Sequence, residues 1–196
     1  MILSELIPIE VSKIYLINNA LSDKSIRRLV RGLARSSGLK TLCIVRNVIG
    51  PATIKAIAND LLPSQSFFTV KKFILKDPYP EKLRRSTLAP LAQQLCQAAP
   101  NLYHLRSLTL CKLGLDRNSI EQVAEGVSLL PSLLSLDLSS NMLDHNSLKV
   151  LIDKLTFFSQ IRNVNLSYNF IGSAHFSHKN ARNSFEHCLS SFLHRS

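Results

Sequence analysis

The residues that could do chemistry are few in this sequence, and most of them are scattered. The six histidines are His104, His145, His175, His178, His187 and His194. Four of them lie near the C-terminus, and three of these could be combined with a cysteine as zinc ligands. That set is His175, His178, His187 and Cys188. A structural zinc site needs four well-placed ligands, whereas Cys188 falls on the apolar face of an expected helix. We therefore expect neither a metal site nor a cofactor.

The thiols and glycines do not indicate an active site either. The four cysteines (Cys43, Cys96, Cys111 and Cys188) are far apart and form no Cys-x-x-Cys pair, which favours reduced thiols in an intracellular compartment over a disulfide framework. Cys111, beside Lys112, is interpreted as a small packed thiol rather than a nucleophile. The glycines do not form a phosphate-binding loop. We therefore predict no catalytic residue and no small-molecule substrate, so the protein is not expected to be an enzyme.

Net charge points to an acidic partner instead. The 196 residues contain 24 Lys and Arg against 13 Asp and Glu, a formal charge of +11. Residues 1–100 hold 15 basic against 6 acidic residues, and residues 101–196 hold 9 against 7. The basic excess therefore belongs to the first half and predicts association of that half with an acidic surface.

Neither a membrane span nor a secretory signal is evident. No apolar run approaches the roughly 20 residues that a membrane helix needs. Residues 1–10 carry acidic residues and lack a basic segment, unlike a signal peptide. We expect an intracellular protein, most simply cytoplasmic, with a cytoskeletal, ciliary or other organellar assembly left open.

A repeated motif organises the chain. Six nine-residue segments share the pattern apolar-x-x-apolar-x-apolar, and four of them end in Asn. They are residues 11–19, 39–47, 70–78, 105–113, 133–141 and 161–169. Their starts are 28, 31, 35, 28 and 28 residues apart. A recurrence of this length is typical of stacked β-α units.

Strand geometry explains the motif. Side chains alternate along a strand, so positions four and six point into the core and position five points away from it. An Asn at position nine lies where the chain leaves the strand, and its amide can bond backbone groups that the turn leaves unpaired. Each segment then leads into an amphipathic helix, such as the one marked by Ile26, Leu29, Val30 and Leu33. One β-α unit cannot bury its apolar face alone, so the units must stack.

Two segments show a family resemblance most clearly. They are Leu133-Leu-Ser-Leu-Asp-Leu-Ser-Ser-Asn141 and Ile161-Arg-Asn-Val-Asn-Leu-Ser-Tyr-Asn169. With helical 28-residue units, the chain resembles the ribonuclease-inhibitor-like class of leucine-rich-repeat proteins over about residues 11–193. The resemblance implies an α/β solenoid, a right-handed β-α superhelix of about six repeats, with a parallel inner sheet and outer helices. In two segments the ninth position holds Pro78 or Leu113 in place of the turn Asn. The third unit is longer than the others, which predicts a protruding loop around residues 77–80.

This interpretation divides the chain into three parts. Residues 1–10 form a lead-in or partial cap, residues 11–171 the leucine-rich repeats, and residues 172–196 a loop and capping helix. The cap is expected at residues 184–193, where the apolar residues are Phe185, Cys188, Leu189, Phe192 and Leu193. Repeat arrays need such elements over their terminal units.

Positions three, five and seven are expected to form the concave face of the sheet. On the first three strands these residues are apolar or basic, and on the last three they are small and polar. The predicted partner-binding residues on this face are Lys13, Tyr15, Ile17, Val45, Lys72, Ile74 and Lys76. Exposed apolar residues on a sheet face are typical of a contact site. The alternative is that residues 1–10 fold over them.

The first helix supplies a second candidate. Its cations recur at three- and four-residue steps and form one outer stripe. They are Lys24, together with the predicted partner-binding residues Arg27, Arg28, Arg31 and Arg35. Either an acidic partner binds them or they form a solvated convex face.

Taken together, these features predict a non-enzymatic protein-binding scaffold, a subunit or segment of a larger intracellular assembly. Two other functions stay open. One is a structural protein associated with RNA or a ribonucleoprotein, since the first half is basic, although an aromatic stacking platform is lacking. The other is a regulator of a small GTPase. The Ran GTPase-activating proteins share this repeat class but carry an acidic tail, whereas this sequence ends in Leu-His-Arg-Ser196.

Overall fold

The computed structural model describes residues 11–78, 85–158 and 160–171, in which strands and helices alternate. The strands are β1 Lys13–Ile17, β2 Thr41–Val45, β3 Lys72–Lys76, β4 Ser107–Cys111, β5 Ser135–Asp137 and β6 Asn163–Asn165. The helices are α1 Asp23–Leu33, α2 Pro51–Ala56, α3 Gln65–Phe68, α4 Arg85–Ala98, α5 Arg117–Ser128 and α6 His145–Phe158. A π-helical segment, Ile57–Leu61, continues α2, and a 3-10 turn, Ala99–Asn101, follows α4.

All six strands are parallel and form one sheet in sequence order, from β1 to β6. In the register, position three of each segment aligns with position three of its neighbour: Lys13 with Thr41, Thr41 with Lys72, and so on to Asn163. A slip of one residue would turn every side chain to the opposite face. The predicted parallel α/β sheet is therefore confirmed, in the register that the aligned segments predict.

The core lies between the sheet and the helices. Positions four and six of the inner strands, including Leu108 and Leu110 on β4, are buried there, as are Leu136 on β5 and Leu138 just after it. The predicted apolar stripe of α1 belongs to the same cluster. Because these strand and helix residues share one core, the helices pack against the face to which positions four and six point. Positions three, five and seven point to the other face.

Neighbouring units are also joined at the start of a helix. Gly50 precedes α2 and has no side chain to cap it, so Asp23 of the preceding unit accepts hydrogen bonds from the backbone N–H groups of Gly50, Ala52 and Thr53 at 2.9, 3.1 and 2.8 Å. A Cβ at Gly50 would lie 2.8 Å from an Asp23 carboxylate oxygen. Burial acts to raise the pKa of Asp23, but the hydrogen bonds from Thr53, Gly50 and Ala52 outweigh it and leave the pKa below its ordinary value.

One expectation about the helices is wrong, and others concern residues that the structure does not describe. The single helix predicted after β2 is instead a short α-helix that turns into a π-helical segment and is followed by α3. Its apolar residues Ile54, Ile57, Ala58 and Leu61 are buried nonetheless. Of the protruding loop predicted around residues 77–80, only residues 77 and 78 are described. The lead-in at residues 1–10 and the capping helix at residues 184–193 lie outside the described residues.

Candidate interaction surface

The turn after each strand has the same backbone geometry in all six units. Position eight of every segment has a φ between 51° and 59°, a left-handed conformation that side chains other than glycine rarely adopt. These residues are Asn18, Arg46, Asp77, Lys112, Ser140 and Tyr168. These side chains are all polar but differ in size and charge, and no single residue type at position eight marks this feature in the sequence. The repeated turn supports the division of the chain into equivalent units.

Asparagines at position nine tie these turns together. The Asn141 side chain, 4% exposed, accepts hydrogen bonds from the backbone N–H groups of Leu113, Gly114 and Leu115 at 3.0–3.1 Å. Its amide nitrogen donates to the carbonyl oxygens of Leu110 and Leu138, both at 2.8 Å. Each amide thus joins its own turn to the turn of the preceding unit.

The same arrangement recurs at Asn47 and Asn169. Asn47 donates to Leu16 O at 2.8 Å, and Asn169 donates to Leu138 O at 3.0 Å. The predicted bonding of backbone groups by the turn asparagines, which we call the amide ladder, is therefore confirmed at three of the four. Asn19, in the first segment, is exposed. The fourth segment has Leu113 in place of this Asn. There the backbone N–H group of Leu113 donates a hydrogen bond to Asn141 of the next unit.

The sheet face that points away from the helices carries most of the predicted partner-binding residues. On β1, the side chains of Tyr15 and Ile17 are 56% and 52% exposed. Val45 and Ile74 are half-buried beside them in the next strands. We call this surface the N-terminal sheet patch, and it comprises Lys13, Tyr15, Ile17, Val45, Lys72, Ile74 and Lys76. The strand register brings these seven residues together on one face. The proposed cover, residues 1–10, lies outside the described residues.

The small side chain of Cys43 lies among the residues of this patch and is buried. Cys43 lies between Tyr15 and Ile74 in the register and is 4% exposed. Burial raises the pKa of the Cys43 thiol, against a weaker opposing effect of the Lys72 charge. This thiol is therefore protonated at neutral pH and packs as a small apolar group.

The outer stripe of α1 lies on the opposite side of the molecule. Its helix buries Ile26, Leu29, Val30 and Leu33 in the core, so the exposed Arg28 and Arg31 face away from the sheet. The prediction is wrong for Arg35, because α1 ends at Leu33 and Arg35 lies in the turn that follows. Arg31 pairs with Asp60 of the next unit at 2.8 Å. Surface pairs of this kind contribute up to about 1 kcal/mol. The two predicted surfaces are thus separated by the sheet and core and do not form one site.

An ion cluster occupies the turns after β2, β3 and β4. The carboxylate of Asp77 accepts hydrogen bonds from Arg46 Nε at 3.1 Å and from Lys112 Nζ at 2.5 Å. The bond from Lys112, reinforced by Arg46, holds the pKa of Asp77 below its ordinary value despite partial burial. The cations at this end of the strands are therefore partly neutralised within the protein.

Chemistry-bearing groups form no further site in the described part of the chain. No cluster of potential metal ligands occurs among the described residues, and the set that was considered and rejected as zinc ligands, His175, His178, His187 and Cys188, lies outside them. Cys43, Cys96 and Cys111 are free thiols. Ser139 Oγ lies 3.3 Å from the buried Cys111 Sγ. Among the helices described, none is long and apolar enough to span a bilayer.

Comparison with known proteins does not assign this chain to a family. No family model matches the sequence, and no curated protein matches it either. Among solved structures, the crystal structure of an internalin from Listeria monocytogenes is similar at 16% sequence identity, over 84% of this chain and 64% of the internalin, with a TM-score of 0.26. This chain thus spans less than two thirds of that protein's length. A TM-score this low supports no statement about fold or function.

Proposed function

We propose that this chain is a leucine-rich-repeat solenoid of the ribonuclease-inhibitor-like class that acts as a non-enzymatic protein-binding scaffold. The observation that carries the proposal is the exposure of Tyr15 and Ile17 on a regular sheet face, at 56% and 52%. The partner docks on the N-terminal sheet patch, and the chain serves as a subunit or segment of a larger assembly. Regular six-fold repetition of the turn supports the solenoid, since equivalent units stack through equivalent contacts.

The composition of the patch indicates the chemistry of the partner. Buried aromatic and aliphatic side chains supply most of an interface's energy, whereas charges at its rim set association rate and specificity. Here Tyr15, Ile17 and Ile74 are the apolar anchors, and the exposed Lys13, Lys72 and Lys76 surround them. A partner that fits would present an apolar centre within an acidic rim.

The double substitution Tyr15→Ala with Ile74→Ala tests this proposal. We expect it to abolish recovery of the protein partner when the tagged chain is purified from its native cells under gentle conditions. Both side chains point away from the core, so the thermal unfolding midpoint should stay within a few degrees of the parent's. Quantitative mass spectrometry of the recovered proteins measures the effect.

The control is Asp137→Ala with Asn163→Ala, which alters the same sheet face on β5 and β6. This variant should retain the partner. If the control loses the partner and the Tyr15/Ile74 variant retains it, recognition belongs to the polar strands and the proposal is wrong.

The outer stripe of α1 is proposed as a separate electrostatic contact. Charge reversal by Arg28→Glu with Arg35→Glu leaves the Arg31–Asp60 pair intact. We expect it to weaken partner recovery at low salt and to have little effect at high salt, because exposed charges are screened over about 10 Å at 0.1 M salt. Equal recovery of the partner by the variant and the parent at every salt concentration would mean that the stripe is only a solvated surface.

A further inference from the structure

A row of cations crosses the amino ends of the strands, where sequence analysis singled out nothing. Position two of each segment is held in line by backbone hydrogen bonds: Lys71 N donates to Lys40 O at 2.8 Å, and Arg106 N donates to Lys71 O at 2.9 Å. The row continues through Leu134 to Arg162. We call Lys40, Lys71 and Arg106 the amino-edge row. All three side chains are exposed, one on each of three consecutive units.

The two ends of the strands differ in charge balance. At the carboxyl ends Asp77 pairs with both Arg46 and Lys112. Within the described ranges, by contrast, no carboxylate lies in ion-pair distance of Lys40, Lys71 or Arg106. Lys72 on β3 adds a fourth exposed cation next to this row. Like charges held side by side repel one another. Because the protein supplies no carboxylate to offset this repulsion, binding of an anionic ligand would reduce it.

An exposed aromatic side chain lies close in sequence to Arg106, at one end of the row. Tyr103 lies in the turn that leads into β4, three residues before Arg106, and is 54% exposed. Its hydroxyl donates to Asn101 Oδ1 at 3.3 Å, which ties the phenol to its own turn. The exposed His104 follows it. Proteins bind single-stranded nucleic acid by combining cations, which follow the backbone, with an exposed ring on which a base stacks.

We propose that the amino-edge row binds the sugar-phosphate backbone of single-stranded nucleic acid, with a base stacked on Tyr103. Neighbouring parallel strands are about 4.8 Å apart, so the three cations span about 10 Å. A stacked strand carries one phosphate per about 3.4 Å, so about three to four phosphates fall within this span. An acidic protein segment would satisfy the cations but would have no base to stack on Tyr103, which is why nucleic acid fits better. This site borders the N-terminal sheet patch at Lys72, but the proposal does not depend on the scaffold proposal.

Fluorescence anisotropy with the purified full chain and labelled twelve-nucleotide oligouridine or oligothymidine tests the site. Each phosphate that the protein no longer neutralises lowers the salt slope of single-strand binding by about 0.7. The triple substitution Lys40→Gln, Lys71→Gln and Arg106→Gln should therefore reduce the slope of log Kobs against log salt by about 2. Tyr103→Leu should weaken binding about fivefold or more at an unchanged slope. Binding of the uridine strand alone would assign the site to RNA, and equal binding of both strands to single strands in general.

A matched control separates the row from net charge. The substitutions Lys24→Gln, Arg28→Gln and Arg35→Gln also remove three charges, but from α1 and the turn that follows it, and should leave the slope unchanged. An equal decrease of the slope in the two triple variants would overturn the proposal, as would the absence of binding by the parent chain. If polyglutamate displaces the oligonucleotide and Tyr103→Leu has no effect, the row serves an acidic protein and the proposal is wrong.

Discussion

Replacing Asn141 by alanine should lower the free energy of unfolding by about 3–5 kcal/mol, since a buried N–H group left unsatisfied costs about 1–3 kcal/mol. Three backbone donors, the N–H groups of Leu113, Gly114 and Leu115, lose their shared acceptor in this variant. The carbonyl oxygens of Leu110 and Leu138 lose a donor as well. Chemical denaturation at fixed temperature measures the difference.

The same substitution at Asn169 should cost less, about 1–2 kcal/mol. Its side chain is only half-buried, and it accepts from two N–H groups, those of Asn141 and Leu143, at 3.1 and 3.2 Å. Water can replace part of these hydrogen bonds there. Asn163→Ala, at an exposed position of β6, is the matched control and should stay close to the parent. If Asn141→Ala unfolds at the same denaturant concentration as Asn163→Ala, the amide ladder does not hold the turns together.

Leu138→Ala should destabilise the protein by about 2–5 kcal/mol, the usual cost of a cavity in a packed core. The Leu138 side chain is fully buried at 0% exposure, and its backbone hydrogen bonds do not depend on its side chain. Unfolding in urea, followed by far-ultraviolet circular dichroism, measures the destabilisation. The slope of the transition should change little, because the same surface is exposed on unfolding.

Asp137→Ala provides the control for this strand. Asp137 points to the other face of the sheet and is half-buried, and its carboxylate accepts one bond from Ser139 N at 3.0 Å. Its removal should cost about 1 kcal/mol, the net contribution of a single hydrogen bond. Equal destabilisation by the two alanine substitutions would mean that the assigned strand register is wrong.

The sequence predicted the sheet well because apolar alternation and the strand register express the same constraint. Leu136 and Leu138 are buried as expected, since a two-residue period assigns each side chain to a face. The predicted contacts of the turn asparagines are confirmed for a similar reason. A buried amide can satisfy both a donor and an acceptor of the backbone, and few other side chains do so.

Contacts between units could not be predicted in the same way. Asp23, in the first turn of α1, binds the backbone at the start of α2. Arg31 pairs with Asp60, 29 residues away in the sequence. Such pairs depend on the lateral distance between stacked units and on the path of each helix. A period in the sequence fixes neither of these.

Candidate binding surfaces were predictable only where a residue's face followed from strand alternation. Tyr15 and Ile74 lie on one face because they occupy the same position in aligned segments. The amino-edge row was missed because position two carries no apolar signature, and its cations are more than 30 residues apart in sequence. Their alignment becomes visible only through the backbone bonds that link Lys40, Lys71 and Arg106.

Site-specific photocrosslinking tests the proposed scaffold role most directly, because it reports which surface a partner touches in the intact assembly. A benzophenone side chain would be introduced in place of Tyr15, of Asn163 or of Arg28, one position at a time. The proposed function predicts a protein crosslink of high yield from position 15 on the N-terminal sheet patch, and little from position 163. A crosslink from position 163 with none from position 15 would contradict it.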